Sequence, residues 1–400
     1  MDSQYDLLLK GGHVIDPKNQ INQRMDVAIA NGKIARVAPD IDRSAAAVVV
    51  DAADTYVTPG LIDIHVHAYH TREPEGLSVV IDHHSFRSGV TTVVDTGTAG
   101  AKHFLHFKRT VIDAAKTRIF ALINIVKSGM VGDFEQDIRE MDAELAASIV
   151  LAYPDICVGI KTAHYWTEHP ADDMHPVWAA VDRSLEAADI CHKPLMVDFW
   201  PREDRTYQDL LKKMRPGDIH THMYAQQFPI LDDAKKPPKF LFEARERGII
   251  FDVGHGAGSF WFRQAVPAMA GGWTPDSIST DLHIGNVNGP VFDMITTMSK
   301  FLNMGMPLDE VIYRSTVTPA QEIGHPELGT LSEGAEADVA VLRLDRGQFG
   351  FWDCGRAKIM GTQKLVCQLT LRAGKVVYDL DGVTMPEWPN APAPYWTIRR

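Results

Sequence analysis

The sequence of 400 residues has little of what defines several large classes of protein. Its four cysteines are far apart and form no Cys-x-x-Cys pair, which disfavours a disulfide scaffold and a thiolate zinc site. A net charge of −12 argues against nucleic acid or an anionic membrane as a partner. No apolar run is long enough to span a bilayer and no signal peptide is visible, so we expect a cytoplasmic protein.

Short apolar segments alternate with helical segments through the middle of the chain. We predict strands over 61–66, 89–95, 118–125, 156–162, 194–199, 218–222, 249–253 and 277–281, and helices over 134–152, 177–191 and 207–214. Eight such units are typical of a closed parallel (β/α)8 barrel, a TIM barrel, although an open doubly wound sheet uses the same units. No Gly-x-Gly-x-x-Gly follows a predicted strand, which disfavours a nucleotide-binding oxidoreductase.

Both ends of the chain contain short strand-like segments instead. Asn31-Gly32 lies between two apolar segments, a pattern typical of a hairpin with a type I′ turn. Similar apolar segments return after about residue 327. We therefore predict an α/β protein with two domains. Residues 1–57 and 328–400 form a small composite β-sandwich, and residues 58–327 form the barrel.

Polar residues lie at the predicted carboxyl ends of the barrel strands, where TIM barrels carry their chemistry. His65 and His67 are one residue apart in a strand, so they point to the same face and can bind one divalent metal. Chance poorly explains polar groups from five or six strands, although Asp281 also suits a helix N-cap. The further candidates are Lys161, Asp198, His220, His222, His255 and Asp281.

Several long segments resemble the amidohydrolase superfamily, and the likeness covers nearly the whole chain. They are Val57-Thr-Pro-Gly-Leu-Ile-Asp-Ile-His-Val-His and Gly329-Thr-Leu-Ser-Glu-Gly-Ala-Glu-Ala-Asp, together with the split terminal strands. Within the superfamily the chain is similar to the dihydroorotase-like amidohydrolase/deacetylase branch. That likeness rests on Lys213-Met-Arg-Pro-Gly-Asp-Ile-His-Thr-His, Gly256-Ala-Gly-Ser-Phe, Ile278-Ser-Thr-Asp-Leu-His, Met298-Ser-Lys-Phe-Leu-Asn-Met-Gly-Met-Pro and Thr318-Pro-Ala.

The resemblance implies a role for each candidate ligand. His65, His67 and Asp281 would hold the more buried metal, and His222 the second metal. Lys161 would bridge both as a carbamate, because a free lysine is a cation and cannot bind a metal ion. A bridging hydroxide would attack the carbonyl, with Asp281 acting first as general base and then as general acid. Zinc is the expected metal, with manganese as the alternative.

One position departs from the family pattern, which has a histidine at the end of strand five where this chain has Asp198. Either Asp198 is a ligand, or the second metal is lost, or His220 supplies the nitrogen. For substrate binding we expect His255, His283 and Arg202, since arginine can pair with a substrate carboxylate. His255 suits the glycine-rich turn around it equally well, and Arg202 suits a solvated loop.

We therefore expect metal-dependent hydrolysis of an amide or related acyl bond in a small molecule. The resemblance favours an N-acyl amino acid or an acylated hydroxy acid as substrate. A cyclic-amide hydrolase of the dihydroorotase or hydantoinase type is one alternative. A catalytically inactive barrel that acts as an assembly partner is another, which Asp198 keeps open. A homo-oligomer is compatible with the resemblance, because the family often forms symmetric assemblies.

Overall fold

The computed structural model describes residues 3–71, 77–130, 137–165 and 171–396. Within these ranges the strands are β1 (Tyr5–Asp16), β2 (Ile21–Ala30), β3 (Lys33–Ala38), β4 (Ala46–Asp51), β5 (Tyr56–Pro59), β6 (Leu61–Val66), β7 (Val90–Gly100), β8 (Arg118–Asn124), β9 (Cys157–His164), β10 (Leu195–Phe199), β11 (Ile219–His220), β12 (Ile250–Phe251), β13 (Val339–Trp352), β14 (Lys358–Arg372) and β15 (Lys375–Asp379). The helices are α1 (Phe104–Phe107), α2 (Ala143–Ala152), α3 (Ala179–Cys191), α4 (Tyr207–Lys213), α5 (Lys239–Glu246), α6 (Phe262–Ala270), α7 (Met294–Asn303), α8 (Leu308–Tyr313) and α9 (Val317–Glu322).

Strands from both ends of the chain share one mixed sheet. Its order is β15-β14-β13-β5-β1-β2-β3, and β4 pairs with β1. The antiparallel pairing of β5 with β13 joins the two ends of the chain. The hairpin predicted at Asn31 and Gly32 is confirmed, since φ is 52° and 74° at these residues and β2 pairs with β3 across them. The division into domains at 57/58 and 327/328 stays a prediction.

The second sheet is parallel, and its strands follow chain order from β6 to β12. Apolar side chains of these strands are buried, as the near-continuous apolar runs of a parallel sheet require. The segment after β12 returns to β6 and closes the cylinder through isolated bridges. The predicted barrel and terminal sheet are therefore both present, and the predicted fold class is confirmed.

The closing segment is not the regular strand that was predicted over 277–281. It makes only isolated bridges, one with the end of β12 and one with the end of β6. Asp281 takes a left-handed backbone conformation with φ of 51°. The amide of Thr280 donates to the carboxylate of Asp63 at 3.0 Å instead of to a neighbouring strand. The Asp63 side chain thus accepts the Thr280 amide hydrogen that a backbone carbonyl would accept in a regular β-ladder.

The helix predicted over 134–152 begins later than expected. It starts at Ala143, because Asp142 caps it by accepting a hydrogen bond from the Leu145 amide at 3.0 Å. Residues 134–136 of that prediction lie outside the described residues. The helices predicted over 177–191 and 207–214 are confirmed as α3 and α4. In the described part of the chain, no helix combines the length and the apolar character that a bilayer crossing requires.

Candidate metal centre

Three of the predicted ligands converge at the carboxyl end of β6. The ligand atoms of His65, His67 and Asp281 all lie within 4.8 Å of one another. Asp281 Oδ1 is 3.0 Å from His67 Nε2 and 3.6 Å from His65 Nε2. The side chains of His65 and His67 are 1% and 5% exposed, whereas that of Asp281 is 12% exposed. Asp281 is therefore the member of this group that solvent reaches most easily.

Hydrogen bonds fix which nitrogen of each histidine faces the centre. His65 Nδ1 lies 2.8 Å from Thr221 Oγ1, and the Thr221 hydroxyl donates onward to Asp252 at 2.8 Å. Thr221 must therefore accept from Nδ1–H, which leaves a lone pair on His65 Nε2. His67 Nδ1 meets the Thr98 hydroxyl in the same way at 2.8 Å, and Thr98 bonds a buried carboxylate in β7. Both histidines therefore direct an unprotonated Nε2, the form of the ring that binds a metal ion, toward the centre.

A second pair of ligand-type groups consists of His222 and Asp198. His222 Nε2 is 3.2 Å from Asp198 Oδ2, and His222 Nδ1 donates to the Gly254 carbonyl at 2.6 Å. The Tyr165 hydroxyl donates to the same oxygen of Asp198. The other oxygen, Asp198 Oδ1, is buried and has no hydrogen-bond partner among the described residues. A buried acceptor of this kind fits a cation ligand.

The charges of Asp198 and His222 stabilise each other. Burial alone would raise the pKa of Asp198, but the adjacent His222 outweighs it and holds that pKa well below its usual range. Burial likewise opposes charge on His222, and Asp198 outweighs it, so that the pKa of His222 rises to about 9. A metal ion bound to His222 must therefore displace a proton.

Lys161 is almost fully buried in β9, with 2% exposure. Gly97 makes room for it, because a Cβ at Gly97 would lie 2.8 Å from both Cβ and Cγ of Lys161. Within the described ranges Lys161 Nζ forms no hydrogen bond or ion pair, an unusual state for a buried lysine. Burial lowers the pKa of His65 to about 4, and the charge of Lys161 adds to that effect. Lys161 thus lies close to the metal-facing groups.

His283 lies beside the first group of ligands. Its ring centroid is 6.2 Å from that of His67, and its residue exposure is 9%. The amide of Gly285 donates to His283 Nδ1 at 3.1 Å, so the ring hydrogen is on Nε2. His283 can therefore offer an N–H donor at the mouth of the barrel.

Three other candidates have different partners. Both nitrogens of His255 are engaged, Nε2 with a lysine ammonium at 2.6 Å and Nδ1 with a backbone carbonyl at 3.0 Å. His220 packs edge-on against the rings of Tyr207 and Phe228, with centroids 5.1 and 4.6 Å away. Its Nδ1 bonds the Thr221 carbonyl at 2.6 Å and its buried Nε2 has no hydrogen-bond partner among the described residues, so His220 as a ligand stays a prediction. Arg202 forms an ion pair at 2.8 Å with an exposed aspartate two residues further on.

The residues that support the ligands were missed in the sequence. Thr221 lies inside the His-Thr-His segment, where its position between two histidines was the available clue. Gly254 and Gly256 have positive φ, and a Cβ on them would lie 2.3 Å from Thr221 Oγ1 and 2.6 Å from Asp281 Oδ2. Their lack of a side chain lets the loop approach the ligands. The supporting residues are Thr98, Tyr165, Thr221 and Asp252.

Known proteins resemble the chain over most of its length. A deacetylase of Enterococcus faecalis is 35% identical over 85% of this chain and 90% of its own length. A deacetylase of Brucella anthropi is 33% identical over 79% of this chain and 76% of its own length. The crystal structure of an adenine deaminase has a TM-score of 0.84 at 31% identity, covering 94% of this chain and all (100%) of that chain. A dihydroorotase structure has a TM-score of 0.81 at 28% identity, covering 93% and 99%. No family model matches the chain.

With the geometry above, these matches define the class as metal-dependent hydrolases built on a TIM barrel. The chain belongs to the amidohydrolase superfamily and, within it, to the family of the two deacetylases. The resemblance found in the sequence is thereby confirmed. The protein is a hydrolase of carbon–nitrogen bonds that acts on a small molecule, and a divalent metal is the cofactor of its superfamily.

Proposed function

We propose that the protein is a deacetylase of a small N-acyl amino acid or acylated hydroxy acid. The observation that supports this most strongly is the convergence of His65, His67 and Asp281 within 4.8 Å. This trio lies in a chain whose relatives over most of their length are named deacetylases. The likeness to a dihydroorotase structure favours cyclic-amide hydrolysis as the second candidate.

The side chains fit two divalent ions. Imidazole nitrogen and carboxylate oxygen are ligands that zinc accepts, and manganese accepts them as well. A bound ion polarises a substrate carbonyl and lowers the pKa of the water that it binds. The first ion would be held by His65, His67 and Asp281, the second by His222 and Asp198, and both by Lys161 as a carbamate.

Asp281 is the residue that we assign to proton transfer. Burial would raise its pKa, but the adjacent side chains of His65, His67 and His222 outweigh burial and keep that pKa well below its usual range. The ionised carboxylate takes a proton from the attacking water and delivers it to the leaving atom, nitrogen in an N-acyl amino acid or oxygen in an acylated hydroxy acid, as the bond from the acyl carbon breaks. The products are a carboxylate and either an amine or, for an acylated hydroxy acid, a free hydroxyl group. The Nε2–H of His283 then serves as a hydrogen-bond donor to the substrate.

A substrate panel tests the proposal. The metal-loaded protein is assayed with N-acetyl D- and L-amino acids, acetylated hydroxy acids and cyclic ureides. We expect acyl release from one of the first two groups and its loss in Asp281→Asn. Turnover of cyclic ureides alone would favour the second candidate. A protein that binds less than one equivalent of metal and hydrolyses nothing would instead be an inactive assembly partner.

The finer proposals need their own measurements. Elemental analysis distinguishes zinc from manganese and one ion from two. Carbon-13 NMR after growth on labelled bicarbonate detects a carbamate on Lys161. Sedimentation measures whether the protein is a homo-oligomer, and cell fractionation tests a cytoplasmic location.

A further inference from the structure

Lys300, in α7, is a buried cation outside the metal-facing groups, and its residue exposure is 1%. No carboxylate among the described residues pairs with it. Its ammonium donates instead to three neutral acceptors, His255 Nε2 at 2.6 Å and the carbonyls of Pro290 and Trp352 at 2.8 Å each. An ammonium has three hydrogens, so each acceptor takes one of them.

The three acceptors belong to three separate parts of the chain. His255 is in the loop after β12, Pro290 precedes α7, and Trp352 ends β13 in the terminal sheet. Burying an unpaired cation costs several kcal/mol, and an apolar side chain of similar volume is commonly neutral or better for stability. Stability therefore explains Lys300 poorly, and the geometry of its contacts explains it better.

The ammonium holds His255 in one orientation. The His255 ring stacks on Phe260 with centroids 4.5 Å apart and planes 14° apart. Its Nδ1 donates to the Gly256 carbonyl at 3.0 Å, and its amide donates to the Ser279 carbonyl at 3.3 Å. With Nε2 bonded to Lys300, every polar atom of the ring has a partner inside the protein.

His255 is flanked by the two glycines that contact the ligands. The Gly254 carbonyl accepts the hydrogen bond that fixes the tautomer of His222, at 2.6 Å. Gly256 packs against Asp281 so closely that a Cβ would lie 2.6 Å from Oδ2. Both glycines have positive φ, at 44° and 58°. Because glycine adopts many backbone conformations, a neighbouring contact must hold the loop in this one. The side chain between them is therefore the anchor of this loop.

We propose that Lys300 is a positioning residue that anchors His255 and thereby holds Gly254 and Gly256 against His222 and Asp281. This inference rests on the proposed function, because it takes His222 and Asp281 as metal ligands. It gives the terminal sheet a part in the site, since the Trp352 carbonyl of β13 takes one hydrogen of the ammonium.

The test compares Lys300→Met with Ser299→Ala, its neighbour in α7. The Ser299 hydroxyl donates to Ile295 and accepts from the Leu365 amide at 3.0 Å, so it ties α7 to β14 without touching the loop. Both variants lose buried hydrogen bonds, three in Lys300→Met and two in Ser299→Ala. Competition of Zn²⁺ with a chelator measures metal affinity, and the absorption spectrum of the Co²⁺ form reports ligand geometry. We expect Lys300→Met to weaken Zn²⁺ binding about 10–100-fold, as is typical when a residue that orients a metal ligand is removed. Ser299→Ala should leave the affinity unchanged.

A double-mutant cycle shows whether Lys300 acts through His255. His255→Phe keeps the ring that stacks on Phe260 and removes the acceptor. We expect this variant to weaken Zn²⁺ binding like Lys300→Met, and the double variant to be no worse than either. Wild-type affinity in both single variants, or full additivity, overturns the proposal. If Lys300→Met does not fold, the affinity and Co²⁺ spectrum of His255→Phe decide alone. A wild-type protein that binds no metal refutes the proposed function instead.

Discussion

His65 Nδ1 lies 2.8 Å from Thr221 Oγ1, and through this contact Thr221 connects the metal-facing ring of His65 to the buried carboxylate of Asp252. The Thr221 hydroxyl donates to Asp252, which also accepts from Ser277 at 2.9 Å. Thr221→Val keeps the shape but removes both hydrogen bonds, so we predict roughly 10–100-fold weaker metal binding. Chelator competition measures it. Thr221→Ser should retain wild-type affinity, and equal losses in the two variants would contradict the relay.

Removing His67 tests the first metal group directly. His67 Nε2 is 3.0 Å from Asp281 Oδ1, at the centre of the trio. We predict that His67→Ala lowers both bound metal and activity by orders of magnitude, because a ligand is lost rather than a supporting contact. Elemental analysis and the acyl-release assay measure the two effects. Wild-type metal content in this variant would remove the site as described.

Substitution of Asp198 tests whether the two proposed metal sites can be emptied independently. The buried Oδ1 of Asp198 has no hydrogen-bond partner in the described ranges, and an amide in its place is a poorer ligand. Asp198→Asn is therefore predicted to reduce the occupancy of one ion and spare the other. Tyr165→Phe is the matched control, since it removes the donor to Oδ2 and keeps the carboxylate. Equal occupancy of both ions in Asp198→Asn would show that this residue is not a ligand.

The cysteines are predicted to be unreactive in the folded protein. Burial raises the pKa of Cys157 and of Cys367 to about 12 and that of Cys354 to about 11, and it also raises the pKa of Cys191. The thiolate is the reactive form, so little of it exists at neutral pH. A disulfide reagent should titrate four thiols promptly after unfolding and far more slowly before. A thiol that reacts at once in the native protein would contradict this burial.

Lys300 makes stability depend on pH. Burial lowers its pKa from 10.5 to about 7, with only Cys354, Asp353 and Asp293 favouring the charge. Between these values the unfolded chain keeps a proton that the folded protein gives up, so the free energy of unfolding rises with pH across this window. Lys300→Met lacks this contribution and should show a shallower rise. Denaturant titrations through that window measure it, and parallel curves for the two proteins would be the opposite result.

The barrel and the main ligands could be predicted because their patterns are local. Alternation of apolar strands and helices is visible in any short window, and Asn31-Gly32 specifies its own turn. His65 and His67 share a face by strand geometry alone. The carboxyl ends of parallel strands meet at one mouth, so candidates from separate strands could be grouped before any distance was known.

The supporting contacts could not be predicted because they join residues far apart in the chain. Thr221 lies 156 residues from His65, and Asp63 lies 217 residues from Thr280. A threonine or an aspartate has no special pattern until its spatial neighbour is known. The irregular closing segment also depends on a distant residue, because the amide of Thr280 donates to the carboxylate of Asp63 instead of to a neighbouring backbone carbonyl.

Residues 277–282 close the cylinder through isolated bridges instead of a regular ladder, and Asp281 lies within this segment. A ligand bound to this carboxylate is therefore expected to stabilise the closing segment as well. The rate of amide hydrogen exchange at residues 277–282 should therefore fall when a ligand occupies the site.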